Sequence, residues 1–156
     1  MHVIVATDGS KQSLLAAQHL MAFADPARIS DVTVVAVIRP LAAVAFADEL
    51  SDVDHPQTTS EALSFRQAAT NALAVIAAEF EGWGPTVHQQ ILSGSPANEI
   101  IKAAEAADAG LVVVAAGSRG LSETVLLGST AQRVQHYAPC PVLVVRPAPR
   151  KRRRPS

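Results

Sequence analysis

Short runs of aliphatic and β-branched residues alternate with longer Ala- and Leu-rich stretches, and this alternation most constrains the fold of the chain. Five runs have strand length and carry apolar residues on both faces, as in buried parallel strands. They occupy 3–6, 32–38, 87–92, 111–116 and 142–145. The intervening stretches have helical spacing, and the longest places Leu63, Ala69, Leu73, Ile76 and Phe80 on one stripe. The pattern predicts an open, doubly wound parallel α/β sheet.

Composition narrows the class of protein further. The 156 residues are 49% hydrophobic, which fits one domain with a single core. No apolar run approaches the roughly 20 residues of a membrane-spanning helix. The N-terminus shows no secretory signal pattern, and Cys140 is the single cysteine, so no internal disulfide is expected. We therefore expect a cytoplasmic protein.

The formal net charge of −1 conceals two oppositely charged parts. Residues 1–145 carry seven basic and fourteen acidic side chains, whereas the last eleven residues carry six basic side chains and no acidic one. An acidic body repels phosphates, so nucleic acid is not expected as a partner except through the tail at 147–156. This Pro- and Arg-rich tail is predicted to be disordered, and 39–57 form a long acidic connection.

Ligands of open parallel sheets bind at the carboxyl ends of the strands, so the residues that follow each strand are the candidates for a site. Two glycines three positions apart, Gly117 and Gly120, follow the fourth strand, and Gly128-Ser129-Thr130 opens the last helix. Free amides there, with Arg119 as the nearby cation, could form an anion cradle. The same residues could instead form a tight turn and a helix cap, and spacing does not decide between the two.

Motifs for several catalytic classes are missing. The chain contains no G-x-x-x-x-G-K-[ST], no G-x-G-x-x-G and no G-x-S-x-G, and its five histidines are scattered, with no pair at metal-ligand spacing. Asp8 follows the first strand without a second carboxylate beside it. It suits a hydrogen bond to a ribose hydroxyl or purine amine, or alternatively caps the helix that starts near Ser10. No catalytic or metal-binding residue is predicted.

In their order along the chain, these segments resemble the universal stress protein family. The matching pieces are 3–10 (VIVATDGS), 94–97 (GSPA), 111–120 (LVVVAAGSRG), 128–130 (GST) and 136–146 (HYAPCPVLVVR). The resemblance covers nearly all of 2–146. It implies a Rossmann-like five-stranded sheet of order 3-2-1-4-5 and a domain at 1–146, followed by the basic tail.

The resemblance also implies a nucleotide site. ATP-binding members of the family carry a glycine, two residues, a second glycine, nine residues, and a third glycine followed by Ser or Thr. The implied nucleotide-binding residues are Ala6, Thr7, Asp8, Val37, Gly117, Arg119, Gly120, Gly128, Ser129 and Thr130. Of these, the phosphates and ribose would be held by Gly117, Gly120, Gly128 and Ser129. The adenosine side would be lined by Ala6, Thr7 and Asp8, and Val37 would meet adenine through its backbone. The expected cofactor is therefore ATP or another adenine nucleotide, with Mg²⁺ a further candidate. Only seven residues, 121–127, separate Gly120 from Gly128, so a full triphosphate is expected to fit less well. ADP, AMP or cyclic AMP could bind instead, or the site could be empty.

The last strand suggests a partner. In the implied order, Val142, Leu143, Val144 and Val145 lie at a sheet edge, and an apolar edge is prone to association unless it is paired. Members of the family commonly dimerise there, so a homodimer is expected. The leading functional hypothesis is an adenine-nucleotide-binding, regulatory stress-response module. The alternatives are a nucleotide-free dimeric interaction protein and a slow ATPase in which Asp8 orients Mg²⁺ or water.

Overall fold

The computed structural model describes residues 1–39, 56–117 and 127–147, with the side chains of 56–62 left out. Its strands are β1 (His2–Thr7), β2 (Asp31–Ile38), β3 (Thr86–Ser93), β4 (Leu111–Ala115) and β5 (Val142–Val145). Its helices are α1 (Lys11–Phe23), α2 (Pro56–Glu79), α3 (Pro96–Ala106) and α4 (Ser129–Tyr137), with a short 3₁₀ helix at Pro26–Arg28. The predicted alternation of strands and helices is confirmed. The acidic connection, apart from its ends, and all but the first residue of the basic tail lie outside the described residues.

The five strands form one parallel sheet in the order β3-β2-β1-β4-β5. The first strand lies in the middle, with Val3 opposite both Val32 on β2 and Leu111 on β4. The expected strand order is therefore confirmed. The winding reverses at β1, which places the switch point between the carboxyl ends of β1 and β4.

Helices cover both faces of the sheet, because successive strand side chains point to opposite faces. On one face, α1 and α2 pack on Val3 and Val5, and Phe80 of the turn after α2 is fully buried there. On the other face, α3 and α4 pack on Ile4 and Val112. Cys140 packs at the margin of this second core, where burial raises the pKa of its thiol.

The helix starts agree with the sequence interpretation. Ser10 is the N-cap of α1, and its hydroxyl accepts the Ser13 N–H at 3.2 Å. Ser95 is the N-cap of α3, with Pro96 in its first turn, although the Ser95 side chain makes no capping bond. Within the described residues, no helix is long and apolar enough to cross a membrane.

Two details of burial differ from the sequence interpretation. The third strand is mostly exposed rather than buried on both faces, because it lies at the edge of the sheet. Leu63 is 63% exposed, although Leu73, Ile76 and Phe80 of the same predicted stripe are buried. A stripe extended over more than four turns drifts around the helix, so its first member points away from the core.

Candidate functional site

The turn between β1 and α1 is held by its own side chains. The Thr7 hydroxyl is buried, lies 2.8 Å from the Ser13 hydroxyl and accepts the Gly9 N–H at 3.1 Å. One carboxylate oxygen of Asp8 accepts the Ser10 N–H at 2.9 Å. Asp8 therefore shapes the turn but is not the helix cap, and its carboxylate stays exposed. Gly9 has a φ of +80°, which glycine adopts without strain.

The junction between β4 and α4 depends on two glycines in direct contact. Gly117 has a φ of +105°, and a Cβ on it would lie 3.1 Å from the Gly128 Cα. The Gly128 N–H donates to the Ala116 carbonyl at 2.6 Å, which fixes the start of α4 against the end of β4. Gly128 is the N-cap of α4 and has no side chain to cap it. Among the residues that the structure describes, no side chain caps the first amides of α4, and such amides can donate to an anion.

The end of β2 presents a free acceptor. The Gly94 N–H donates to the Ile38 carbonyl at 3.0 Å, so Ile38 faces β3. Backbone groups alternate in direction along a strand, which turns the Val37 carbonyl toward β1. Pairing between β1 and β2 ends at Thr7 and Ala36, one residue earlier. The Val37 carbonyl thus points into the space above β1, where it could accept a hydrogen bond.

These three regions line one cleft of about 1240 Å³ at the carboxyl edge of the sheet. Eight of the ten residues expected from sequence line it, namely Ala6, Thr7, Asp8, Val37, Gly117, Gly128, Ser129 and Thr130. Arg119 and Gly120 lie outside the described residues. The charged side chains among the described lining residues are those of Asp8, Lys11 and Arg39, so the cleft has a slight positive excess.

One wall of the cleft was missed by sequence reasoning. Helix α2 contributes a flank of apolar side chains, and Asn71 lies beside them; the flank consists of Phe65, Ala68, Ala72 and Val75. The flank lies beside the stripe of α2 that was predicted to face the core. A helical projection of the sequence would have identified the flank as a second apolar strip, but it would not have shown that this strip borders a cleft.

In the part of the chain that the structure describes, no three His, Cys, Asp or Glu side chains form a group that could hold a metal ion. The structure does bring together two histidines that sequence reasoning had kept apart. The ring centroids of His2 and His88 are 6.2 Å apart. They lie at the amino-terminal half of the sheet, away from the cleft. The start of α4 and the glycine junction beside it offer backbone amides to the cleft, and such a donor set suits an anionic group such as a phosphate.

The order of the strands and a glycine-lined cleft at the switch point place the chain among the Rossmann-like α/β proteins, a class whose ligands bind at that point. The model of the universal stress protein family matches residues 1–146, and the chain belongs to this family. A curated relative, universal stress protein MJ0531 from Methanocaldococcus jannaschii, is 36% identical over 144 residues, covering 92% of this chain and 81% of the relative.

Solved structures of low sequence identity share the fold. The hypothetical protein MJ0577 aligns with a TM-score of 0.75 and 24% identity, covering 94% of this chain and 96% of that one. A universal stress protein in complex with cAMP aligns with a TM-score of 0.67 and 20% identity, covering 93% of this chain and 96% of that one. A universal stress protein family protein from Arabidopsis thaliana with AMP bound aligns with a TM-score of 0.65 and 16% identity, covering 94% of this chain and 91% of that one.

Proposed function

We propose that this chain binds an adenine nucleotide in the cleft and acts as a regulatory stress-response module. The observation that carries the proposal is the contact between Gly117 and Gly128, which leaves the start of α4 open beside the ends of β1 and β2. The nucleotide complexes of two structural neighbours support the same ligand class at the level of the family.

In the proposed complex, phosphate oxygens accept hydrogen bonds from the first amides of α4, with Ser129 and Thr130 as further donors. The exposed carboxylate of Asp8 accepts a hydrogen bond from a ribose hydroxyl, and the Val37 carbonyl accepts one from the adenine amino group. Ala6 and Thr7 line the cleft between these points. Thr7 acts through the turn, because its hydroxyl is engaged by Ser13 and Gly9.

The short segment between Gly120 and Gly128 favours a monophosphate or cyclic monophosphate, since two residues fewer are available to enclose a triphosphate. In this proposal, Arg119 and Gly120 complete the phosphate end. ATP with Mg²⁺ is the weaker ligand and AMP or cyclic AMP the stronger one. We assign a regulatory role to this binding because no general base and no nucleophile is predicted among the expected nucleotide-binding residues.

Two measurements test the proposal. Mass spectrometry of small molecules released from the denatured protein is expected to find an adenine nucleotide, and calorimetry is expected to give tighter binding for AMP than for ATP. Asp8→Ala should weaken nucleotide binding. Asp8→Asn is the matched control, because its side-chain oxygen can still accept the Ser10 N–H. A comparison of the two variants separates the loss of the negative charge from the loss of the turn. Recovery of no adenine compound, together with no binding below about millimolar concentration, would refute the proposal.

We also propose that the chain forms a homodimer through β5. Val142–Val145 is the edge strand next to β4, and its four residues are half-buried in the isolated chain. A short apolar edge can be covered by a second copy, which pairs its open backbone groups.

A further inference from the structure

Phe65 is an aromatic residue that the core does not use. Its side chain is 55% exposed, although it lines the cleft, whereas Phe80 near the other end of the same helix is fully buried. Among the cleft-lining residues that the structure describes, Phe65 carries the only aromatic ring. Exposure of a phenyl ring to water is unfavourable, so a ligand that covers the ring of Phe65 in the cleft gains affinity.

The flank of α2 that holds Phe65 belongs to the same wall as the turn after β1. A Cβ on Gly9 would lie 3.8 Å from the Ala72 Cβ, so α2 rests against this turn. Phe65 precedes Ala72 by two helical turns, about 10 Å along the axis. Since α2 leads from the carboxyl end of β2 back toward the start of β3, Phe65 lies on the side of the strand ends, above Ala72.

The chemistry of this wall suits a base rather than a phosphate. Phe65, Ala68, Ala72 and Val75 bring no charge, and the charged lining residues all lie in or next to the ends of β1 and β2. The helix amides suited to phosphate lie at the opposite side, over β4. A nucleotide with its phosphate at α4 and its base toward Val37 therefore directs the base to the side of the cleft that α2 covers.

We propose that Phe65 is the stacking residue of the site, and that its ring packs on the purine and favours purine nucleotides over ligands with no flat base. This inference rests on the proposed nucleotide function and adds a residue from α2 to it. A base stacked on an aromatic side chain gains affinity because both flat faces leave water, and the gain by alanine substitution is typically fivefold or more.

Calorimetry with AMP tests the inference on full-length protein. Phe65→Leu keeps an apolar side chain but removes the ring, and it is expected to weaken AMP binding at least about fivefold. Phe65→Tyr keeps the ring and should stay within about twofold of the parent. Leu63→Ala is the matched control, because Leu63 is an equally exposed apolar residue of α2 that does not line the cleft.

A fluorescence measurement adds a signature of stacking itself. The monophosphate of 2-aminopurine riboside is quenched when its base stacks, so the parent protein should quench it and Phe65→Leu should quench it less. Circular dichroism of each variant checks the fold. If Phe65→Leu binds AMP within twofold of the parent, or quenches equally, the stacking role is wrong while the nucleotide function stands. If the parent binds no nucleotide, the proposed function is what fails.

Discussion

Single residues at the two ends of the cleft fix the backbone that lines it. Gly117 and Gly128 touch where other residues would carry a Cβ, and Thr7 and Ser13 share a buried hydrogen bond under the first turn. Replacing Gly117 or Thr7 is expected to lower the free energy of unfolding. Denaturation of these variants therefore measures what the residues contribute to stability, independently of ligand binding.

Gly117→Ala is expected to lower the free energy of unfolding by about 1–3 kcal/mol, because the residue has a φ of +105° and the new Cβ would press on the Gly128 Cα. Urea denaturation measures the change. Gly82→Ala is the matched control, since Gly82 also has a positive φ but open space around it. Equal losses for the two variants would show that the contact between the glycines contributes nothing.

Thr7→Val should destabilise the protein by about 1–3 kcal/mol, because it removes the acceptor of the Gly9 N–H and the partner of a buried Ser13 hydroxyl. The side-chain volume hardly changes. Thr7→Ser retains the hydroxyl and should recover most of the loss in the same denaturation series. A Thr7→Val protein as stable as the parent would mean that the turn reorganises without this bond.

At the level of elements, the edge strand β3 is fastened to β2 by an exposed pair. Nε2 of His88 lies 3.0 Å from Oδ1 of Asp31, with their side chains 49% and 36% exposed. The hydrogen bond from His88 is the main cause that lowers the pKa of Asp31 below its ordinary 3.8, followed by one from Ser30. The pair links strands whose order the sequence predicted, but the pair itself was not predicted.

The sign of the pH effect follows from this lowered pKa. The ionised Asp31 stabilises the folded state at pH values above its unfolded-state pKa, and the contribution is lost as the pH falls through the lower folded-state pKa. Asp31→Asn should therefore reduce the difference in unfolding free energy between about pH 5 and pH 3. NMR titration should show the pKa of Asp31 rising toward its ordinary value in His88→Ala, which removes the hydrogen-bond donor. An unchanged pKa in that variant would contradict the assignment.

Helices and strands were predictable where the signals for them, the spacing of apolar residues and the capping and turn residues, lie within the element itself. Ser10 as a cap and the five strand runs needed only the spacing of apolar and polar residues. The exposure of β3 escaped prediction, although the polar residues His88, Gln89 and Gln90 and the expected place of β3 at a sheet edge both pointed to it. The division of α2 between core and cleft also escaped prediction, since Leu63 and Phe65 are equally apolar and only the packed sheet decides which one borders a ligand site.

For the whole molecule, dimerisation through β5 can be tested by removing a backbone N–H that faces away from β4. The Ala116 N–H bonds to the Val145 carbonyl, so alternate residues face β4 and the N–H of Val144 faces outward. Val144→Pro removes an outward donor without breaking the β4 pairing, and should convert a dimer to a monomer at micromolar concentration in sedimentation equilibrium.

The opposite edge supplies the control for this variant. The Thr86 N–H bonds to the Ser30 carbonyl, so the N–H of Gln89 on β3 faces outward by the same alternation. Gln89→Pro should leave the dimer intact. Either a monomeric parent or an unchanged dimer in Val144→Pro would rule out association through β5.

The basic tail is predicted to be dispensable for the nucleotide site. None of the residues expected to bind the nucleotide belongs to 147–156. Deleting 147–156 removes five of the thirteen basic side chains and should leave the AMP affinity within about twofold at physiological salt, where distant charges are screened. A larger loss, measured by calorimetry under these conditions, would place the tail in contact with the ligand.

The central position of β1 has a consequence for biosynthesis. Along the chain β1 precedes both of its neighbours, so β2 can pair with one side of it early, whereas the other side waits for 111–115. Until β4 has been synthesised, Val3 and Val5 border an open parallel edge. A pause in translation before β4 would therefore prolong the period in which a nascent chain is most prone to wrong pairing.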